Sequence, residues 1–493
     1  MHPQPSSLWN TAQVRAIDAF AISTTKIPGF ELMHRAASAA LDELRRRWPR
    51  AQQVLVVCGS GNNGGDGYVL ASLARAMGLE SRVAAVSDPN SLRGDAALAF
   101  SEWRTSGGPT LPWAEGFDAP ADVVVDALLG IGASRELEGG YLAAVNRMSA
   151  GPAPVLALDI PSGLHADTGL TLGGCVRAEC TVTFIAHKIG LWLASGPDFS
   201  GEIVLADLGL SVWPDNIGSA PLQSLQAAEL PASIKPRLRG ANKGQFGHVL
   251  VIGGGPGMPG AARLCGEAAL RSGAGLVSIA TAPEHAAHVA SMRPELMVSG
   301  IAAPDGLMPM LARADVVAIG PGLGQSAWAR AIWSCAMASG KPMVVDADAL
   351  NLLAAQPEAR EDWILTPHPG EAGRLLGIPT QNVQADRVAA VSALRSRYGG
   401  TVILKGAGSL IASTGEPLRI CLQGNPGMAA PGMGDVLTGV VAGLQGQVGR
   451  LSLAARLGVL VHALAGDRAA LLGQRGLIAS DVVAELRGCL NPS

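Results

Sequence analysis

Two hydrophobic rhythms alternate along the chain. Short β-branched runs (Val54–Val57, Arg82–Val86, Val123–Val125, Val155–Leu158, Thr181–Ile185) are separated by Ala/Leu-rich stretches with helical character. Continuous apolar runs, unlike strictly alternating ones, suit strands buried on both faces, so the pattern predicts a mostly parallel sheet covered by helices. The rhythm breaks at Trp213-Pro-Asp-Asn-Ile-Gly-Ser-Ala-Pro221, which is dense in turn residues. It restarts with His248–Ile252, Leu276–Ala280, Val316–Ile319, Met343–Val345, Trp363–Leu365 and Thr401–Leu404. The expectation is two α/β domains, 1–215 and 222–493, joined near residues 213–225, with no sequence repeat between them. In open sheets of this kind ligands bind beyond the carboxyl ends of the strands. Asp126, Asp159, Asp346 and His368 lie at such ends.

Composition agrees with this picture and removes several function classes. A chain of 493 residues is too long for one ordinary domain. Lys+Arg total 37 against 40 Asp+Glu, a net charge of −3, and the longest basic block is Arg45-Arg46-Arg47. That leaves no footprint for nucleic acid. Seven Cys show no CxxC pairing and no disulfide framework, which suits a reducing cytoplasm. The N-terminus has neither a cationic nor an apolar leader segment, and no run of about eighteen apolar residues marks a membrane span. With 63 Gly, the chain reads as a cytoplasmic α/β protein rich in glycine loops.

The richest chemistry lies in Pro431-Gly-Met-Gly-Asp435, which runs into the apolar Val436-Leu-Thr-Gly439. Glycines 432 and 434 admit a ligand close to the backbone, and a helix N-terminus offers free N–H groups to an anion. A carboxylate beside a phosphate suits a base that takes a proton from a hydroxyl attacking phosphorus. A plain helix cap after a Gly turn is the alternative. Lys405-Gly-Ala-Gly-Ser409, after the strand-like Thr401–Leu404, adds a second backbone cradle and a cation. Taken together the two loops point to phosphoryl transfer to a hydroxyl.

The N-terminal half carries Gly59-Ser-Gly-Asn-Asn-Gly-Gly-Asp-Gly67 between a strand and the helical Tyr68–Met77. Gly59, Gly61 and Gly64 match a dinucleotide fingerprint, with Asp88 near the ribose position. Against that reading, Asn62, Asn63 and Asp66 crowd the turn a pyrophosphate would approach; such oxygens suit a hard cation or a hydroxylated, amide-bearing ligand. Asp126 precedes Leu129-Gly-Ile-Gly-Ala133, and Asp159 opens Asp159-Ile-Pro-Ser-Gly163. Each carboxylate has a capping role as its alternative, but three such strand ends in succession favour one shared pocket.

These motifs carry a resemblance. Asn62-Asn-Gly-Gly-Asp-Gly67, Asp126-Ala-Leu-Leu-Gly130 and Ala157-Leu-Asp-Ile-Pro-Ser-Gly163 resemble the NAD(P)H-hydrate epimerase family. Gly247–Gly254, Gly320-Pro-Gly-Leu-Gly324, Asp346-Ala-Asp-Ala-Leu350, Thr366-Pro-His-Pro-Gly-Glu371, Lys405–Ser409 and Gly424-Asn-Pro-Gly-Met428 with Gly434-Asp435 resemble the ribokinase-like NAD(P)H-hydrate dehydratases. Their order is that of the fused bacterial repair enzymes. Departures are few: Ser60 for the usual Pro, Ser409 for Thr, Ala430-Pro431 before the Asp435 turn, and His165 where an acidic residue is common.

The resemblance implies a Rossmann-like three-layer epimerase domain over 1–215 and a ribokinase-like dehydratase domain over 222–493. The first would interconvert the R and S hydrates of NADH and NADPH. The second would return the S hydrate to NAD(P)H, with ADP giving AMP and phosphate. It implies Asp159 as the acid–base group of epimerisation, and a hydrate site formed by Asn62, Asn63, Gly64, Gly65, Asp66, Gly130, Ile131, Gly132, Ala133, Ser134, Arg135 and Glu136. Potassium would lie on Asn63, Asp126 and Ser162. In the second domain it implies Asp435 as the base, Ala261, Gly322 and His368 as hydrate contacts, and Lys405, Gly406, Ala407, Gly408, Ser409 and Gly434 as the holders of ADP or ATP, with Mg2+. For Asp346 and Asp348 a site role and a capping role are equally reasonable. The implied partners are small molecules, with no nucleic acid or membrane, and the implied assembly is a homo-oligomer. Two other classes remain open from the residues: a vitamin-type small-molecule kinase fused to a dinucleotide-binding domain, and a non-catalytic dinucleotide sensor.

Overall fold

The computed structural model describes residues 5–24, 26–117, 120–210, 213–214 and 217–491. The chain divides into two compact units, Met1–Leu222 and Gln223–Ser493.

The first unit is built on a parallel sheet of strands β1 (Gln53–Cys58), β2 (Glu80–Ala85), β3 (Thr110–Pro112), β4 (Val123–Ala127), β5 (Val155–Leu158), β6 (Cys180–Phe184) and β7 (Glu202–Ala206). The order across the sheet is β3-β2-β1-β4-β5-β6-β7, with β1 registered on β2 and β4 through Val56↔Val83 and Val56↔Val125. Val54 and Val56 pack with helix residues such as Leu41, Leu44 and Leu70 on one face. Leu55 and Val57 pack with Val145 and Met148 on the other. Both faces are thus covered, which is why these strands are apolar throughout. The chain leaves β1 in opposite directions, towards β2 and β4, so the crevice at the carboxyl ends of β1 and β4 is the topological switch point.

The second unit contributes β8 (His248–Ile252), β9 (Leu276–Thr281), β10 (Met297–Gly300), β11 (Val316–Ile319), β12 (Met343–Val345), β13 (Trp363–Leu365), β14 (Thr401–Leu404), β15 (Ser409–Ser413) and β16 (Leu418–Cys421). They run in the order β16-β15-β14-β13-β12-β11-β8-β9-β10. Pairing is parallel from β10 to β14 and antiparallel through β14, β15 and β16. The chain here turns back after Leu404, so Lys405–Gly408 form the hairpin connection between β14 and β15. The helix Met433–Val448 packs tightly on the helix Pro259–Arg271: a Cβ on Gly439 would lie 2.1 Å from Cys265 O. Only glycine permits that approach.

One element differs from the sequence expectation. The helix expected to begin at Tyr68 starts at Asn62. Its glycines are packing positions: a Cβ on Gly67 would lie 2.4 Å from Ala127 Cβ, and one on Gly64 would lie 2.2 Å from Gly59 O. Close helix–strand packing, and not a loop, explains that glycine run.

Candidate active sites

In the first unit a cavity of about 1050 Å³ opens at the β1/β4 switch point. It is lined by Asn62, Asn63 and Asp66 from the helix start, by Gly130–Glu136 after β4, and by Asp159 after β5. Gly64 and Gly65 turn away from it; a Cβ on Gly65 would meet Met33 and Ala96 instead. Asp159 has a left-handed backbone, φ +67°, a conformation that costs a non-glycine residue about 1 kcal/mol or more and is held only where the surroundings enforce it. One restraint is plain: its Oδ1 pairs with the ammonium of Lys188 and accepts from Phe184 N. Lys188 is fully buried and also donates to Thr183 Oγ1 (3.0 Å) and Phe184 O (2.6 Å), which uses all three of its N–H bonds. Asp159 Oδ2, by contrast, faces the Gly130 turn, 3.6 Å from where a Gly130 Cβ would lie.

Further carboxyls face this ammonium. Burial pushes Asp66 well above the usual carboxylate range, with Asp159 and Asp18 adding to the effect. Asp18, on the helix Thr11–Ser23, is raised by burial and then by Asp159 and Asp95. A carboxyl whose pKa burial raises, beside one engaged in an ion pair, places two carboxyls in unlike environments at one cavity.

Two further polar side chains are buried in this unit, Asp126 at the end of β4 and Asn63 in the cavity wall. Asp126 is fully buried; its Oδ1 accepts from Ser162 Oγ (2.6 Å) and Leu128 N (3.2 Å), and its Oδ2 from Ser162 N (2.7 Å). Burial raises it to about 6. Asn63 is buried next to Gly130, and among the described residues neither its Oδ1 nor its Nδ2 has a hydrogen-bond partner. An orphaned buried amide is costly unless something else satisfies it.

In the second unit the carboxyl ends of β12 and β14 meet the start of the helix Met433–Val448. Lys405 Nζ lies 2.6 Å from Asp346 Oδ1 and 3.7 Å from Glu371 Oε2, while Thr438 donates to Asp346 Oδ2 at 2.8 Å. Asp346 makes no side-chain cap bond, so the capping alternative does not hold for it. Asp348 instead accepts from Gly324 N (2.8 Å) and ties down the loop after β11. Gly434 sits directly over the ion pair: a Cβ there would lie 3.3 Å from Lys405 Nζ. Asp435 follows in the first helical turn, raised to about 7 by burial and by Asp346, with Lys405 opposing.

Gly322 (φ +58°) lies beside Ala261, with only 3.0 Å between Ala261 Cβ and the place of a Gly322 Cβ. The structure therefore brings those two expected contacts together. His368 caps the helix Pro369–Leu376, its Nδ1 accepting from Gly370 N at 3.0 Å. With Nδ1 accepting, the neutral ring carries its proton on Nε2; burial and then Lys405 lower its pKa. Cap and ligand donor are compatible roles for this residue.

Comparison with known proteins decides the family. A family model described as NAD(P)H-hydrate dehydratase matches residues 249–486, and one described as YjeF-related protein N-terminus matches residues 29–190. The bifunctional NAD(P)H-hydrate repair enzyme Nnr of Coxiella burnetii is 47% identical over 489 residues, covering 98% of this chain and 99% of that protein. The Escherichia coli protein of the same name is 41% identical, covering 99% and 95%. The chain belongs to the bifunctional NAD(P)H-hydrate repair enzymes. Among solved structures, a ribokinase-like superfamily protein from Enterococcus faecalis is 28% identical with a TM-score of 0.52, covering 56% of this chain and 98% of that chain.

In this repair enzyme the ribokinase-like half and the Rossmann-like half are therefore both as the sequence led us to expect. Sequence reasoning missed Lys188, Asp18, Glu371 and Thr438 as site residues. Lys188 had one signal, since it is the sole Lys or Arg between Thr181 and Trp192. A charge inside an apolar run needs a partner.

Proposed function

We propose that the two units perform successive steps of hydrate repair, with the boundaries expected from the sequence, 1–215 for epimerisation and 222–493 for dehydration. The observation that carries the second step is Asp435 at a helix start, beside the ion pair of the half-buried Lys405 with the buried Asp346. Asp435 takes the proton of the hydrate hydroxyl, whose oxygen attacks the terminal phosphorus of ADP; AMP leaves. The phosphorylated carbon then loses phosphate, and loss of a neighbouring proton restores the ring double bond of NAD(P)H. The amides of Gly432–Gly434 and the Lys405 charge stabilise the transferring phosphoryl group. Lys405–Ser409 and Gly434 hold the nucleotide; Ala261, Gly322 and His368 hold the hydrate. The described residues contain no cluster of three or more His, Cys, Asp or Glu suited to a metal, so Mg2+ would be held chiefly by nucleotide oxygens, whose charge it would screen.

Epimerisation inverts the hydroxyl-bearing carbon beside the ring nitrogen. Asp159 Oδ2, the oxygen left free by Lys188, takes the hydroxyl proton as the carbon–nitrogen bond opens to an aldehyde, and passes it to the nitrogen; closure from the other face reverses the transfer. The substrate rests on the Asn62–Asp66 and Gly130–Glu136 walls. The Asn63, Asp126 and Ser162 oxygens suit a weakly held potassium ion, because among the described residues Asn63 Oδ1 has no hydrogen-bond partner and Asp126 is a fully buried carboxylate. Such an ion would supply positive charge and order this wall.

We further place these reactions in the cytoplasm, on the strength of seven free thiols, and in a homo-oligomer on the resemblance alone. No helix among the described residues is long and apolar enough to cross a membrane. The direct test incubates the protein with a mixture of both NADH hydrates and ADP while NADH absorbance recovers. Recovery of both epimers with release of AMP and phosphate is expected. Accumulation of a stable phosphorylated product would instead support a kinase.

A further inference from the structure

The loop assigned above to the nucleotide, Lys405–Ser409, rests on a side chain that neither motif nor family description marks. Arg387 opens the helix Arg387–Tyr398 and is 4% exposed. Its guanidinium donates to four backbone carbonyls of that loop and the strand before it: Ala407 O (2.5 Å), Lys405 O (3.2 Å), Gly408 O (3.3 Å) and Leu404 O (3.4 Å). Gly406, at φ +140°, lies flat over it, and a Cβ there would sit 2.9 Å from Arg387 Nη2. Among the described residues no carboxylate pairs with Arg387, and its Nε is buried without a partner.

Two consequences follow. With these carbonyls turned down onto the guanidinium, the amides of Gly406, Ala407 and Gly408 are left with no protein acceptor among the described residues. Consecutive free amides form an anion cradle. The buried charge itself stays uncompensated, and burying an unpaired cation is costly. Burial lowers Arg387 only to about 10, so it remains charged at neutral pH.

We propose that Arg387 is the positioning residue of the nucleotide site: its planar fork holds the Lys405–Ser409 loop with its amides presented, and its charge is balanced by the phosphates of a bound nucleoside diphosphate or triphosphate. Lysine cannot replace it, because an ammonium has three donors on a point charge and cannot span four carbonyls. This inference rests on the assignment of the loop to the nucleotide.

The test uses the full-length enzyme and the variants Arg387→Lys, Arg387→Met and Lys405→Ala, with steady-state dehydration of hydrated NADH by ADP. Both Arg387 variants should raise the KM for ADP on the order of 10-fold or more, while the KM for the hydrate and kcat at saturating ADP change by about 3-fold or less. The ADP-induced rise in melting temperature should shrink in parallel. Should Arg387→Met fail to fold, Arg387→Lys, which retains the charge, carries the test. An unchanged KM for ADP in the Arg387 variants, with a raised one in Lys405→Ala, would overturn the role of Arg387 and leave the loop assignment standing. An unchanged KM for ADP in all three would overturn both. A lowered melting temperature with proportional loss of kcat and no change in either KM would show a purely structural residue and also overturn the proposal.

Discussion

Lys405 Nζ and Asp346 Oδ1 lie 2.6 Å apart, although their strands β14 and β12 are separated by β13. Lys405 is therefore not a free arm waiting for phosphate. Its ammonium is fixed beneath Gly434 by a carboxylate that Thr438 also grips. The phosphoryl site is preorganised, so its charge need not be gathered when the nucleotide arrives.

Asp346→Asn tests that arrangement. The amide keeps a hydrogen bond to Lys405 but removes the charge, and after burial itself Asp346 is the main influence raising Asp435. We expect kcat for dehydration to fall at least about 10-fold, with a loss of about 1–3 kcal/mol in unfolding free energy from the weakened buried pair. The acidic limb of the pH profile should also move to lower pH. Wild-type kcat together with an unmoved limb would reject the positioning role.

Asp435 itself sets that limb. It must be ionised to take a proton, and its pKa is raised to about 7. Below that value the protonated, inactive form dominates, so kcat/KM for dehydration should climb with pH between about 6 and 8 and then level off. Asp435→Asn should lose about 10²- to 10⁴-fold in kcat while ADP and hydrate still bind. Near-normal turnover of this variant would remove Asp435 from the chemistry.

Much of this architecture was legible in the sequence, because strands such as Val54–Val57 and His248–Ile252 are apolar on both faces and could be nothing but buried. The strand-end carboxylates Asp126, Asp159 and Asp346 were visible for the same reason. Lys188 was not: it lies 29 positions from Asp159 and joins it only once β5 and β6 pair. Arg387 lay hidden similarly, since its partners are backbone carbonyls that leave no trace in side-chain spacing. The hairpin strands Ser409–Ser413 and Leu418–Cys421 are short and half polar, and gave no continuous run to read.

The two activities should separate. Each unit has its own sheet and its own buried core, and such units commonly fold alone. Residues 1–215 and 222–493, expressed apart, should retain epimerisation and dehydration respectively. Two insoluble or molten fragments, judged by near-ultraviolet circular dichroism, would show that neither core is sufficient.

Removing Asp159 should stop one activity and spare the other. With Asp159→Ala, dehydration of the preferred epimer should proceed normally while the unreactive share of a mixed hydrate pool persists. Lys188→Met should act in the same direction by a different route, because the ammonium, tied to Asp159, Thr183 and Phe184, aims Asp159 and leaves Oδ2 free. Its epimerisation profile should therefore shift along the pH axis as well as fall, which a mere loss of fold would not produce. Full consumption of both epimers by Asp159→Ala, faster than they interconvert unaided, would disprove the assignment.

Among the described residues Asn63 Oδ1 is buried without a hydrogen-bond donor, and Asp126 is fully buried with hydrogen bonds from Ser162 and Leu128 N. A monovalent ion satisfies both, whereas a single carboxylate is too little charge for a tight divalent site. Because the ion would compensate Asp126 only when that group is ionised, its affinity should weaken as pH falls through about 6, where Asp126 takes up its proton. Potassium should accordingly raise the melting temperature of the 1–215 fragment at pH 8 more than at pH 5.5, and accelerate epimerisation without changing dehydration. In Asn63→Leu, which fills the space with an apolar group, both potassium effects should vanish. A melting temperature and an epimerisation rate indifferent to replacement of potassium by tetramethylammonium would leave the orphaned amide without its ion and refute the site.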